Sequence, residues 1–516
     1  MSKDALTKKS FRQKKTLCII KLKKQSKYIL NLLDFPINGE YSVSEKRRFV
    51  MKKHTVDMTK GSIFMHIIKF AIPIMLAGVL QTLYNAADMV VVGKFAGKND
   101  LAAVGSTSSA INLLISIFVG LSSATNVIVA RKFGAENKSG VSKAVHTAIA
   151  VCICGGTALM ILGILLSRKI LVLMDSPDDV IELATLYMQI YFAGIPAMLL
   201  YNFGSATMRA VGDAKRPTYF LMASGVINVT LNLVFVILFK MGVAGVATAT
   251  VTAQIVSALL VLRCLVKAED CYRLELRKVK ISGAELKEIV ALGVPAGIQS
   301  ALFSISNVII QSSINSVGSD AMAGNSASAS VEGMVYIAIN AFFHAALTFV
   351  GQNYGANNFK RIRKGFLITM AISLVVGGVL SAVVSRLAGF FVGFYTDIPA
   401  VRDIGVMRMQ IVCAPYFLCG MMEVVGGAIR GMGVAVRSMI TCVVGVCVVR
   451  LAAVIMGAPY NEVNDLKILY YSFPVSWAIT TAILTILFFA ILKNREKKWV
   501  RTINDEKSGD RNTCTC

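Results

Sequence analysis

The chain has 516 residues, of which 55% are hydrophobic and 16% are charged. Soluble globular proteins carry charge on roughly a quarter of their residues, so this composition excludes an ordinary soluble domain. The formal net charge of +25 does not indicate nucleic-acid binding, because the basic residues lie between apolar blocks and form no patch interleaved with aromatic residues.

The first 60 residues are strongly basic, with 16 Lys or Arg against 5 Asp or Glu. Their longest apolar stretches, 18–20 and 28–33, are too short to cross a membrane or to form the core of a cleaved signal peptide. We therefore expect residues 1–60 to form a cytoplasmic extension. An alternative is that translation starts at Met51 or Met58.

Long apolar runs separated by charged or Gly/Pro breaks occupy the rest of the chain. A membrane helix needs about 20 mostly apolar residues to cross a hydrocarbon core of roughly 30 Å. The pattern predicts an all-α integral membrane protein with twelve transmembrane helices. Their predicted limits are 63–95, 101–131, 142–166, 179–209, 217–239, 243–266, 285–317, 321–353, 362–385, 400–430, 436–458 and 467–492.

The loops between these spans alternate in charge. Loops such as 131–143 and 360–364 are basic, whereas 175–179 and 462–465 are acidic. Basic loops remain on the cytoplasmic side of a membrane. We therefore expect a multi-pass protein of the inner (cytoplasmic) membrane with both termini in the cytoplasm.

The two halves of the chain form an internal repeat, because three pairs of stretches match at a separation of 221 or 222 residues. The pairs are FAIPIMLAGVLQTLYNAADMVVVG (70–93) with LGVPAGIQSALFSISNVIIQSSI (292–314), RKFGAENKSGVSKA (131–144) with QNYGANNFKRIRKG (352–365), and GSATMRAVGDAKRP (204–217) with GGAIRGMGVAVRS (426–438). Each half has six spans, so both enter the membrane in the same direction, as in a parallel repeat about an axis along the membrane normal.

The repeat predicts two pseudo-symmetric six-helix lobes around a central cleft, in which one lobe rocks against the other. The predicted division of the chain is an extension at 1–60, a first lobe at 61–267, a cytoplasmic linker at 268–284, a second lobe at 285–493 and a cytoplasmic tail at 494–516. Because one chain contains both lobes, we expect a monomer.

Several motifs carry a family resemblance: the P…Q..YN..D..VG pattern of the first span, the GAEN and GANN loops, MRAVGDAKRP, and GVAGVATATV at 242–251. Together, in this order and duplicated, they resemble the multidrug and toxic compound extrusion (MATE) family over about residues 60–493. The chain is most similar to the bacterial MepA-like and DinF-like branch. The resemblance implies export of cationic amphipathic drugs and dyes by antiport with H⁺ or Na⁺ through alternating access, with no enzymatic activity and no cofactor.

Acidic residues within the spans are the first candidates for function, because ionisable groups in the membrane are costly. Asp88 shares a helical face with Gln81 and Asn85, and such a polar stripe should face the protein interior or a wet cavity. An acid there can hold a proton or a cation in turn, which is the chemistry of an exchanger. The resemblance implies ion coupling at this position; the alternative is a structural hydrogen-bonding residue.

Asn228 and Asn232 lie four residues apart in the fifth span and so share a face. Relatives carry Asn and Asp at this spacing, and Asn232 departs from that pattern. A Na⁺ site could still form from Asp88 with oxygens of Asn228, Asn232 and Thr250, because hard cations prefer oxygen ligands. The alternative is helix packing through amide hydrogen bonds.

The second lobe contributes Glu332 and Glu423. Some relatives place an ion site in this lobe with acids on the seventh and tenth spans, but the apolar part of the seventh span here, beyond its first turn, offers only amides. Each glutamate either contacts a cationic substrate or forms a structural ion pair, with Arg430 the expected partner of Glu423. The full set of predicted substrate contacts is Gln81, Tyr84, Asn85, Gln299, Asn307, Glu332 and Glu423.

Other functions fit the sequence less well. A lipid-linked oligosaccharide flippase of the same superfold would need a cationic cavity, whereas the amino-terminal spans carry acids. The duplicated lobes argue against a non-transporting receptor or channel. No nucleophile–base set, metal cluster or phosphate loop indicates an enzyme. The expected partners are therefore small cationic molecules and the lipid bilayer.

Overall fold

The computed structural model describes residues 55–96, 98–174, 177–457 and 463–512, and within these ranges the chain is helical and has no strands. Most of the predicted basic extension lies outside the described residues. Ten of the described helices are long and apolar enough to cross a membrane, and counting each of two bent helix pairs as one span gives the predicted twelve.

Six spans form the first lobe. Their bounds are Ile63–Phe95, Lys98–Gly134, Lys138–Leu173, the bent pair Asp178–Ala193 and Ile195–Ala210, Lys215–Asn232 with a π-helical continuation at Leu233–Leu238, and Gly242–Val266. A short 3₁₀ turn at Leu276–Lys278 lies in the linker between the lobes.

Six further spans form the second lobe. Their bounds are Gly283–Asn315, Ser319–Gly355, Phe359–Arg386, the bent pair Pro399–Arg408 (continued by a π turn at Met409–Cys413) and Phe417–Gly431, Ala435–Cys442 with a π turn at Val443–Val448 and Val449–Gly457, and Leu466–Asn512. A short helix at Ala388–Gly393 and a 3₁₀ turn at Val463–Asp465 lie between spans.

Prolines mark the two bent spans. Pro196 lies in the first turn after the break in the fourth span, and Pro415 lies in the break of the tenth. Each pair is bent by 45°. Proline has no backbone N–H, so it cannot donate the hydrogen bond that a continuous helix needs at that position. A break in the helix at proline therefore leaves no backbone N–H unpaired at that residue. The helix is continuous through Pro73 and Pro295.

The duplicated loops after the second and eighth spans have the same backbone geometry. Glu136 and Asn357 occupy equal places in the repeat, and both have φ of 54°. The residue after each, Asn137 or Asn358, caps the next helix with its side-chain oxygen. Asparagine is among the best helix N-caps. The sequence repeat is therefore also a repeat of local structure.

The lobes meet through reciprocal contacts between these duplicated parts. Gly134 packs against the backbone of Gln352, and Gly355 packs against the backbone of Arg131. Arg131 and Gly134 correspond in the repeat to Gln352 and Gly355. Such an exchange of equivalent partners is the mark of a twofold relation, so a pseudo-twofold axis passes through the crossing of the second and eighth spans.

A short segment before the first span, residues 55–60, binds both lobes. The Val56 N–H donates to the Val211 carbonyl of the first lobe at 3.0 Å. The Met58 N–H donates to Gln352 Oε1 of the second lobe at 2.8 Å. Met58 itself is buried. The segment therefore joins the lobes at the end of the molecule that bears the basic loops.

Gln352 and the nearby spans extend this contact. Gln352 Nε2 donates to the Ala210 carbonyl at 2.8 Å, and Thr348 Oγ1 donates to Asn126 Oδ1 at 3.1 Å. Among the described residues, every hydrogen bond between the lobes lies at this same end. The lobes are thus closed together at the end with the basic loops.

Replacing Gln352 with Leu should open this end. The change removes both hydrogen bonds and leaves the buried N–H of Met58 and the carbonyl of Ala210 without partners, which costs about 1–3 kcal/mol. Spin labels at Ser139 and Lys360, which are exposed in the two lobes, should show a new population at longer distance in a cysteine-free background. Gln410→Leu, at an exposed glutamine, is the control. An unchanged distance distribution in Gln352→Leu would contradict the role of this side chain.

Two truncations should show that residues 1–50 and residues 55–60 of the predicted extension differ in their contribution to thermal stability. Deleting residues 1–50 keeps residues 55–60 and should leave the thermal stability of the purified protein unchanged. Deletion through Lys60 also removes the bonds that Arg361 donates to Met58 and Lys60 carbonyls. Since each bond contributes about 1 kcal/mol, the melting temperature should fall. Equal melting of the two truncated proteins would refute this.

Candidate functional site

A cavity of about 570 Å³ lies inside the first lobe. Asp88 is the one charged residue among its described lining residues. The predicted polar residues that also line it are Gln81, Tyr84, Asn85, Asn228 and Thr250. An isolated carboxyl group among neutral oxygens and amides is therefore the electrostatic centre of this cavity.

Asp88 of the first span belongs to a hydrogen-bonded network with residues of the fifth and sixth spans. Asn232 Nδ2 donates to Asp88 Oδ1 and also lies 3.4 Å from Asn228 Oδ1. Asn228 Nδ2 donates to Thr250 Oγ1 at 3.2 Å. Asn232 is fully buried. The structure thus brings together all four residues that the sequence proposed for ion coupling.

The local backbone explains the position of the two asparagines. Asn228 and Asn232 share a face because they are four residues apart in a helix. The α-helix ends at Asn232, and a π-helical turn follows at Leu233–Leu238. Such turns interrupt the regular backbone bonding and are frequent at functional sites. Sequence periodicity gave no sign of this turn.

Two buried oxygens in this region have no hydrogen-bond donor within the described part of the chain: Asn232 Oδ1 and Gln254 Oε1. Hard cations bind carboxylate and amide oxygens. Asp88 with the oxygens of Asn228, Asn232 and Thr250 therefore has the donor chemistry for Na⁺, and the Asp88 carboxylate alone suffices for H⁺. Within the described ranges no group of three or more His, Cys, Asp or Glu is placed to hold a metal ion.

The predicted substrate residues of the first span lie on one wall of the cavity. Gln81 and Asn85 are exposed, and Tyr84 is half-buried. The Tyr84 hydroxyl donates to the Met222 carbonyl at 3.4 Å. Its ring lies against Gly225, where any side chain would overlap the ring. Gly225 therefore allows the first and fifth spans to approach beside Asp88.

A second cavity, of about 430 Å³, lies inside the second lobe, and Asn307, Glu332 and Glu423 line it. Gln299 does not line a described cavity. It is buried and accepts a hydrogen bond from Arg430 Nη2 at 2.8 Å. Within the described residues Glu423 forms no ion pair with Arg430.

Two arginines of this second cavity were missed by the sequence reasoning. Arg408 Nη2 lies 2.6 Å from Glu332 Oε2, and Arg408 Nη1 donates to Ser328 Oγ at 2.9 Å. Arg450 is 7% exposed and lines the same cavity. The sequence carried the signal, because each arginine interrupts an apolar span as the acids do.

A third space of about 320 Å³ lies between the lobes, with lining residues from both. It shares Gln81 and Tyr201 with the first-lobe cavity and Tyr336 with the second-lobe cavity. The space between the lobes therefore borders on both cavities.

The chain was compared with known protein families, and one family matches it. A family model described as MatE matches the chain twice, at residues 73–234 and 295–456. These are the two halves of the repeat.

Curated relatives span nearly the whole membrane part. The probable multidrug resistance protein YoeA of Bacillus subtilis is 26% identical over 83% of this chain and 93% of its own length. The probable multidrug resistance protein NorM of Thermotoga maritima is 23% identical over 77% and 86%. The multidrug export protein MepA of Staphylococcus aureus is 21% identical over 72% and 83%.

Solved structures share the fold. A multidrug resistance MATE family transporter of the MOP superfamily, in an outward-facing conformation, matches with a TM-score of 0.81 at 21% identity, over 86% of this chain and 99% of that one. A MOP superfamily transporter from Pyrococcus furiosus, described as having a binding pocket of reverse polarity, matches with a TM-score of 0.80 at 20% identity, over 85% and 97%.

The family model covers more than half of the chain and both lobes of the structure. The chain therefore belongs to the MATE family and is a membrane transporter, not an enzyme.

Proposed function

We propose that this protein is a secondary active multidrug exporter, which moves cationic amphipathic compounds out of the cell by antiport with H⁺ or Na⁺. The names of its curated relatives, multidrug resistance and multidrug export proteins, support export of small molecules. The observation that carries the proposal is Asp88, the single charged group among the described lining residues of the first-lobe cavity.

One carboxylate serving two cations explains exchange. A carboxylate buried in a low-dielectric cavity attracts any cation strongly. A coupling ion at Asp88, within reach of Asn228 and Asn232, neutralises it and weakens the attraction for a cationic substrate. A cationic substrate held at Gln81 and Asn85, on the same helical face, neutralises Asp88 in its turn and weakens the attraction for the coupling ion. Mutual exclusion at one charge is sufficient to couple the two flows.

The basic loops support an orientation with both termini in the cytoplasm of a bacterial cell, in its inner membrane. In that orientation the closed end, at Gln352, faces the cytoplasm and the cavities are reached from outside. This is the state in which an exporter has released its substrate and takes up the coupling ion. Return to the inward-facing state requires the hydrogen bonds of Gln352 to break.

The chain contains both lobes, which supports a functional monomer. We retain the division into a first lobe at 61–267, a linker at 268–284, a second lobe at 285–493 and a tail at 494–516. We also propose that residues 55–60 take part in the transport cycle, because they contact both lobes.

A lipid-linked oligosaccharide flippase is the second candidate, and Arg408 and Arg450 in the second cavity are the observation that favours it. The charge balance argues against it. Glu332 neutralises Arg408, and Glu423 adds a further negative charge. A cavity with equal numbers of acids and arginines has no excess positive charge for a pyrophosphate.

Asp88→Asn should abolish gradient-driven efflux, because the amide is similar in size but neither binds a proton at neutral pH nor carries the charge that attracts a cation. Ethidium efflux from everted vesicles is measured with a pH gradient and a Na⁺ gradient imposed separately. The gradient that drives the unmodified protein identifies the coupling ion.

Asp403→Asn is the control for Asp88→Asn, since Asp403 is exposed on the tenth span and lines neither cavity. It should keep normal efflux. Normal efflux by Asp88→Asn under either gradient would rule out the coupling role.

Asn232→Asp should strengthen Na⁺ dependence. The change replaces the amide that donates to Asp88 with a second carboxylate. A second charge about 4 Å from a cation contributes about 1–4 kcal/mol at effective dielectric constants of 80 to 20. The Na⁺ concentration for half-maximal efflux should therefore fall by about fivefold or more.

Asn112→Asp is the control for Asn232→Asp, because Asn112 lines the same cavity and makes no described hydrogen bond to Asp88. It should shift the Na⁺ dependence less. Equal shifts in the two variants would argue against a site built around Asp88 and Asn232.

A further inference from the structure

The space between the lobes has one permanently charged side chain and no acid among its described lining residues. The charged side chain is Arg209, in the last turn of the fourth span. The volume of about 320 Å³ is that of several water molecules at about 30 Å³ each, so the space can hold a small ion with part of its hydration shell. Its charge is opposite in sign to that of the first-lobe cavity, where Asp88 is the one charged group among the described lining residues.

Arg209 is not neutralised by the protein. Among the described residues it donates no hydrogen bond and forms no ion pair, and its Nε is buried. The nearest acid in the sequence, Asp213, forms its ion pair with Arg216 instead. A charge within a membrane protein is costly unless a partner compensates it. Arg209 therefore calls for a counter-charge from outside the chain.

The repeat shows which partner Arg209 lacks. Arg209 and Arg430 occupy equal places, because a glycine with positive φ follows each by three residues: Gly212 at 86° and Gly433 at 80°. In the second lobe Arg430 Nη2 donates to Gln299 Oε1 at 2.8 Å. One arginine of the pair is thus held by an amide oxygen, and the other is not.

Alanine replaces that amide in the first lobe. Gln299 lies four residues after Pro295, and the residue four after the matching Pro73 is Ala77. Ala77 lines the same space as Arg209. The small side chain removes the acceptor and leaves room beside the arginine. A bound anion would take the place of the missing oxygen.

Asn126 adds a donor to this space. It is 2% exposed, and its Nδ2 has no acceptor among the described residues. Its Oδ1 accepts the hydrogen bond from Thr348 Oγ1 at 3.1 Å, so the nitrogen is the group left to bind a ligand. The second lobe contributes Asn340 and His344 to the same wall. Guanidinium and amide N–H groups without a competing carboxylate are donors suited to an anion.

We propose that the space between the lobes binds a small monovalent inorganic anion such as chloride. Arg209 supplies the positive charge, and Asn126 supplies a neutral donor. One permanent positive charge matches one negative charge. Because side chains of both lobes line the space, the anion contacts both lobes when they are closed at the end with the basic loops. This site lies apart from the proposed coupling residue, Asp88, and does not depend on the proposed export function.

Chloride binding is measured directly by ³⁵Cl NMR on the purified full-length protein in a nonionic detergent. Exchange of chloride with an asymmetric protein site broadens the ³⁵Cl line. The unmodified protein should broaden the line in a saturable way. Sodium nitrate, a competing small monovalent anion, should remove the broadening, whereas the sodium salt of the bulky buffer anion MES at equal ionic strength should not.

Arg209→Gln should weaken chloride binding at least about tenfold, because hydrogen bonds to a charged group are among the stronger ones in proteins. Arg209→Lys retains the charge and should keep part of the binding. Arg263→Gln is the matched control, since Arg263 is an exposed arginine of the same lobe that does not line the space. It should broaden the line as the unmodified protein does.

Asn126→Asp tests the site without removing the arginine. The new carboxylate keeps an acceptor for Thr348 and places a negative charge in the lining of the space, so it should exclude chloride. Asn112→Asp adds the same charge to the first-lobe cavity and should leave chloride binding unchanged.

Thermal melting provides a second readout. At chloride about ten times its dissociation constant, the melting temperature of the unmodified protein should be about 2 °C higher than in the sodium salt of MES. Arg209→Gln and Asn126→Asp should lose this difference, and Arg263→Gln should keep it.

Three results would overturn the site: no saturable broadening by the unmodified protein, unchanged broadening by Arg209→Gln, or equal loss in Arg263→Gln. The last would assign the broadening to chloride gathered at exposed basic side chains. Both measurements use neither a gradient nor a drug, so a failure of efflux would refute the export proposal and leave the chloride result readable.

Discussion

Hydrocarbon offers no hydrogen bonds, so every charged side chain within the spans must be satisfied inside the protein or by a ligand. Arg408 meets this constraint through its ion pair with Glu332, although its buried Nε has no hydrogen-bond partner within the described residues. Asp88 meets it through the amide of Asn232. Arg450 meets it only in part, through aromatic faces. These three charges thus differ in how far the protein itself satisfies them.

Duplication has conserved the backbone of the two lobes while their chemistry has diverged. Glu136 and Asn357 have the same left-handed φ at equal places in the repeat. At the position corresponding to Asp88, the second half carries Ile310. Since helix packing depends on shape and backbone geometry, a carboxylate can be lost from one lobe without loss of the fold. This independence allows the two lobes to carry cavities of different charge.

The hydrogen bonds between the lobes are concentrated at one end, although helix packing between the lobes extends further along the spans, for example where Gly120 meets the backbone of Gly293 and Gly297. Glycines such as Gly134 and Gly355 allow backbones to touch, and such close approach increases the van der Waals packing that helps helices associate in membranes. Gln352 adds hydrogen bonds to the segment before the first span and to the first lobe. A few localised hydrogen bonds can break together, so a rocking motion of one lobe against the other needs no unfolding of either lobe.

The sequence by itself determined the twelve spans, the duplication and the stripe of Gln81, Asn85 and Asp88, because hydropathy and helical periodicity are local properties. The sequence also identified Asn228, Asn232 and Thr250, which belong to the hydrogen-bonded network around Asp88. Only the tertiary structure decided which polar groups are partners: Asn232 donates to Asp88, whereas Gln299 accepts a hydrogen bond from Arg430. Those choices depend on the rotation and register of helices far apart in the chain, which no local pattern encodes. The second cavity, with its two arginines, exists only because five separate spans converge around it.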